Sequence, residues 1–211
     1  GVQAVVGVQA AVVWRAEHEV LLLRYHISIE GDAGYRLQPL VVGASLVLKQ
    51  PIGNPPDETV RFIIPLYMVH NNTIPTGFEE ELQIPSFGFS YASRPILPYM
   101  IQACVMKLFS LFSVSDAFLI YVGRFTNLFL GLIMAAVVLR LGEKWFSDDK
   151  MAGLFACIVT FLPEALFMHT YINTESCCML STALILYALQ LSFEDDFSLK
   201  SCILLAVGVI L

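Results

Sequence analysis

Charge is scarce in this chain. Asp, Glu, Lys and Arg make up 14% of its 211 residues, against about 25% in ordinary soluble domains. The shortfall accompanies a mean hydropathy of +0.71 and argues against a soluble domain from the outset. Positive charge is in particular deficit, with 12 Lys and Arg against 18 Asp and Glu. That leaves no basic footprint for nucleic acid, and no nucleic-acid partner is expected. The five cysteines, Cys104, Cys157, Cys177, Cys178 and Cys202, include no C-x-x-C pair. Zinc-site and disulfide spacings are therefore missing, and a thiol within an apolar segment acts as a small hydrophobe. Residues 2–13 are apolar but lack the preceding basic region and the cleavage site of a secretory signal.

Long apolar runs fill the rest. Residues 117–141, 151–169 and 172–193 each approach the length of about 20 residues that a spanning helix needs. A fourth run starts near Leu199 and is still apolar at Leu211. Together with a first residue other than Met, this leads us to expect a fragment of a longer membrane protein, cut off at its C-terminus. Residues 37–48 read as the end of a first span, and residues 1–36 stay unassigned. The segment 98–112 carries Gln102 and Lys107 and is too short to cross, so it reads as an interfacial helix. Between 50 and 95 the prolines at 51, 55, 56, 65, 75, 85 and 95 forbid one long helix, although a short one fits 57–70. The expected fold is an all-α, polytopic integral membrane protein. Its membrane domain covers 37–211, its outer loop 50–116, and its spans lie near 117–141, 151–169, 172–193 and 199–211.

Basic residues set the orientation. Arg140, Lys144 and Lys150 flank one connection and Lys200 follows another, and such residues favour the cytoplasmic side. Asp57, Glu58, Asn173 and Glu175 then share the outer face of a cell membrane.

The run Asn54-Pro55-Pro56-Asp57-Glu58 puts two carboxylates behind a double proline at that boundary. A carboxylate there can accept a proton from a hydroxyl within hydrogen-bond reach, so Asp57 and Glu58 are the candidate catalytic pair. The bland alternative is that one of them caps the helix that follows. Arg124 is an ionisable group inside a span, which marks it as a functional candidate. It lies roughly 10 Å below the outer surface at 1.5 Å per residue and could stabilise a phosphate by bidentate hydrogen bonding. The alternative for Arg124 is an ion pair with an acid such as Glu164 or Glu175, or snorkelling of its long side chain toward the interface. Asn127 falls on the same helical face, where it could orient the guanidinium. Glu164 follows Pro163, where a kink is expected. Tyr91, Arg94, Tyr99 and Gln102 could contact a lipid head group, though Tyr and Arg are common at interfaces. Glu175 opens a span from the outer side, and His169 reads as interfacial. Asp57 and Glu58 could also take a divalent cation, but no complete ligand set is visible.

These segments resemble, in order, a bacterial family of uncharacterised multi-pass membrane proteins. The run Pro56-Asp57-Glu58 with Phe62 resembles its PDE…HF motif. Residues 91–102 (YASRPILPYMIQ) resemble its Y-P-P…Y-x-x-Q segment, and Tyr121-Val122-Gly123-Arg124-Phe125-Thr126-Asn127 its Y-x-x-R-x-x-N segment. Leu162-Pro163 and Tyr171-Ile172-Asn173-Thr174-Glu175 resemble its L-P…S-x-x-D turn. Arg61 stands where the family has His, and Glu175 where it has Asp. The family is similar to the GT-C glycosyltransferases, which include the dolichyl-phosphate-mannose protein mannosyltransferases. The resemblance, over about residues 50–192, implies a GT-C-like fold and a first outer loop whose acid is the base or binds the acceptor. That role falls on Asp57, with Glu58 beside it. It implies a polyprenyl-phosphate sugar donor, a glycan acceptor and membrane lipid as partners. Arg124, Asn127, Arg94, Tyr99, Gln102 and Glu175 are the candidate substrate contacts. The rival expectation is a non-enzymatic transporter or an assembly partner for envelope polymers.

Overall fold

The structure, a computed structural model, describes residues 32–84, 88–93 and 95–211. Most of the unassigned segment 1–36 and the candidate Arg94 lie outside the described residues. Among those described, the chain is all-helical. Eight α-helices follow in order: α1 (Asp32–Lys49), α2 (Glu58–Asn71), α3 (Leu97–Ser110), α4 (Asp116–Trp145), α5 (Asp149–Thr160), α6 (Pro163–Met168), α7 (Glu175–Glu194) and α8 (Leu199–Ile210). The one β-like feature among the described residues is an isolated bridge between Ile84 and Phe89. Helices α4 and α7 are long and apolar enough to cross a membrane.

Local chemistry explains the boundaries. The Pro55-Pro56 pair restricts the backbone ahead of α2, and Asp57 turns the chain into it from the left-handed region, at φ 57° and ψ 8°. Asp is among the few non-glycine residues that visit that region readily. Helix α2 ends at Asn72, also left-handed, whose N–H bonds back to the Met68 carbonyl in the manner of a helix-terminating cap.

The expected single run at 151–169 is broken. Leu162 is extended (φ −53°, ψ 127°) between α5 and α6. Pro163 has no N–H to continue the ladder and disfavours a helical residue before it. The segment expected at the interface forms α3, which packs antiparallel to the first half of α4. Phe109 meets Phe118, Met106 reaches the backbone at Gly123, and Gln102 bonds Asn127.

Helix α7 runs parallel to the second half of α4. At one end Lys144 pairs with Glu194 at 2.5 Å, and Trp145 donates to Gln190. At the other, Asn127 reaches the turn that opens α7. One apolar core joins α2, α3 and the start of α4 around Ile64, Tyr99, Met106 and Ile172. A second joins α4, α5 and α7 around Met134, Leu180 and Leu184. His169, expected at the interface, is buried. A Cβ on Gly131 would stand 2.5 Å from its ring, so the α4 backbone approaches this ring closely because position 131 has no side chain.

Candidate functional site

The residues singled out in the sequence converge where α1 ends, α2 and α7 begin and α4 passes its second turn. Arg124 and Glu58 form the centre, both with side chains fully buried. Arg124 Nε donates to Glu58 Oε1 at 2.8 Å and Nη2 to Oε2 at 2.6 Å. The remaining guanidinium hydrogens go to the carbonyls of Val47, Gln50 and Pro51, at 2.7 to 3.2 Å. An arginine has five N–H groups, and all five are engaged. The carbonyls of Val47 and Gln50 belong to the C-terminal end of α1, where helices carry unpaired acceptors and favour a cation. Glu58 also accepts from the backbone N–H of Gly53 and of Ile172, each at 3.3 Å. One buried ion pair therefore ties α1, α2, α4 and the 169–173 turn together. The partner expected for Arg124, Glu164 or Glu175, is replaced by Glu58, and Glu164 lies exposed. A phosphate would reach Arg124 only by displacing one of these bonds.

Asp57 is different from its neighbour. Its carboxylate makes no capping bond to α2. It accepts instead from the Tyr91 hydroxyl at 2.7 Å, and the residue is exposed. One turn along α2, Arg61 donates through Nη1 to Glu175 Oε2 at 2.6 Å, and its guanidinium lies 5.0 Å from the centroid of the Tyr91 ring. The Arg61 side chain is 10% exposed and that of Glu175 35%. Burial disfavours the Arg61 charge, but the hydrogen bond and charge of Glu175 more than offset it and hold its pKa above the ordinary arginine value. Asp57, Tyr91, Arg61 and Glu175 thus form a chain across three segments, with a half-exposed carboxylate at one end and an exposed one at the other.

Behind it lies an amide network. Gln102 donates to Asn127 Oδ1 (2.8 Å) and to the Asn173 carbonyl (2.9 Å). Asn127 donates to the Tyr171 carbonyl at 2.6 Å; it does not orient Arg124, as its place on the helix had suggested. Asn173 receives the Ser176 N–H and donates to the Met168 carbonyl. These three amides shape the turn that presents Glu175. Tyr99 is buried in the core beside them.

Among the described residues, no group of three or more His, Cys, Asp or Glu side chains could hold a metal ion. Asp57 and Glu58 do not form a joint ligand pair, because Tyr91 engages one and Arg124 the other. Sequence reasoning gave Arg61 no role, although it falls one turn into the short helix expected at 57–70. It named Tyr91 as an interface residue rather than a partner of Asp57.

No family model, curated protein or solved structure matches this chain.

Proposed function

We propose that the protein is a multi-pass membrane glycosyltransferase of GT-C type. It would move a sugar from a polyprenyl-phosphate donor to a cell-envelope glycan at the outer face. The observation that carries this reading is Asp57. Its carboxylate is turned away from its own helix by a left-handed backbone, held by Tyr91 and left exposed. A non-glycine residue in that region is worth a functional question. In the reaction, the acceptor hydroxyl oxygen attacks the anomeric carbon of the donor. The bond from that carbon to the phosphate oxygen breaks, the polyprenyl phosphate leaves with the electron pair, and Asp57 takes the hydroxyl proton. Glu58 then serves as a positioning residue, holding Arg124 and the start of α2.

The helix lengths support a site at a membrane boundary. Twenty residues separate Arg124 from Lys144 on α4, and α7 has 20 residues. At 1.5 Å per residue each is about 30 Å, the thickness of a hydrocarbon core. The far end carries Lys144, Lys150 and Lys200, which favours the cytoplasm there and the outside for Asp57. Large apolar side chains lie exposed along the helices, among them Phe125, Phe129, Leu154 and Ile158, as a lipid-facing surface requires.

Asp57→Asn keeps the shape and removes the base. In the full-length protein at normal expression, the variant should lose the envelope-glycan product, measured by glycan composition and linkage analysis. Unchanged glycan would remove Asp57 from catalysis and favour the transporter or assembly-partner reading. The complete saturation of Arg124 by internal partners is the observation on that side.

A further inference from the structure

Two arginines face this region among the described residues, and their states differ. Arg124 has every N–H bonded inside the protein. Arg61 is equally a cation, its side chain nine-tenths buried, but its Nε has no hydrogen-bond partner among the described residues. A buried N–H left unpaired costs free energy unless something else satisfies it. The carboxylate that Arg61 does hold, Glu175, is the more exposed partner, so it can swing toward water at less cost. The Arg61 guanidinium also lies over the Tyr91 ring, 5.0 Å from its centroid, and the Tyr91 hydroxyl in turn bonds the exposed Asp57. The Nη1 that Glu175 now holds is a charged donor that a phosphate oxygen can take in its place.

We propose that Arg61, not Arg124, contacts the phosphate of the lipid-borne substrate, and that Glu175 occupies this contact as an internal stand-in when no substrate is bound. The proposal rests on the donor class given above and adds the residue that reads it. The exchange replaces one anion beside Arg61 with another, so the local charge changes little; the Glu175 Oε2 that departs is also the acceptor of the Thr174 N–H. The Glu175 carboxylate therefore works as a gate. Removing its charge should open the site to phosphate rather than close it.

The test is binding, with no transfer step. The whole protein in detergent is titrated with farnesyl phosphate, and thermal unfolding is followed; farnesol and inorganic phosphate are run as parallel arms. Farnesyl phosphate should raise the unfolding temperature of the wild type, and farnesol should not. Glu175→Gln should tighten the apparent affinity on the order of tenfold, and Arg61→Gln should weaken it on the order of tenfold, as expected for one charged hydrogen-bonding contact. Asp57→Asn should retain binding, which separates this outcome from the failure of the catalytic reading. An unaltered response in Arg61→Gln overturns the assignment. If Arg61→Gln does not fold, Glu175→Gln decides alone, since it leaves Arg61 in place: affinity that stays level or falls contradicts the gate. An equal response to inorganic phosphate overturns the lipid part of the claim.

Discussion

Arg124 donates five hydrogen bonds and Glu58 accepts four, and none of them involves solvent. The value of such a pair lies less in net stability than in the penalty for breaking it. A buried ion pair roughly offsets its own desolvation, but removing one partner strands the other charge at about 3–5 kcal/mol. Glu58→Leu and Arg124→Met should each destabilise the protein by about that amount in denaturant unfolding. The double variant should be less damaged than the sum of the two singles. Strict additivity would show that the two side chains do not act as a pair. The importance of these residues was legible in the sequence, because a carboxylate after Pro-Pro and an arginine inside an apolar run are both conspicuous. Their pairing was not. Glu175 and Glu164 seemed the nearer acids for Arg124, and only the docking of the α1 terminus brings Val47, Gln50 and Pro51 to the guanidinium and sets Glu58 beside it. For the same reason the link from Arg61 to Glu175, 114 residues away, left no local trace.

Elements were more readable than contacts. The double proline and the acids behind it announce α2 within a residue of its observed start, and Pro163 marks the break that divides α5 from α6. The antiparallel docking of α3 on α4 was hidden, since apolar periodicity shows that a helix has a partner but not which one. The loop after α2 offers an element-scale prediction. Glu79 accepts from the Thr76 N–H (2.8 Å), the Thr76 hydroxyl (2.9 Å) and the Gly77 N–H (2.9 Å). These bonds, that from the Thr76 backbone foremost, lower its pKa from 4.5 to about 2. A carboxylate with a depressed folded pKa lends its stability above the unfolded value and loses it as pH falls through the folded one. The turn should therefore stay closed above about pH 4.5 and loosen as the pH falls toward about 2. Hydrogen exchange at residues 76–79, corrected for the intrinsic pH dependence, should rise over that window. In Glu79→Gln the exchange should be faster throughout and flat with pH; a wild type equally flat would contradict the account.

Across the whole molecule, α4 and α7 place two ends about 30 Å apart. One end holds the acidic and basic side chains at Lys144 and Glu194. The other holds Asp57, Arg61 and Glu175 with the buried pair beneath them. The functional reading depends on these ends lying on opposite sides of a membrane, with Asp57 outside, where a glycan acceptor could meet it. The most direct measurement introduces single cysteines at position 57 and at position 148 in a background without the native thiols. Intact cells are then labelled with a membrane-impermeant maleimide. The account predicts that position 57 reacts from the external medium and that position 148 reacts only after the cells are opened. Protection at 57 until the cytosol is exposed would place the carboxylate on the wrong side and contradict the account.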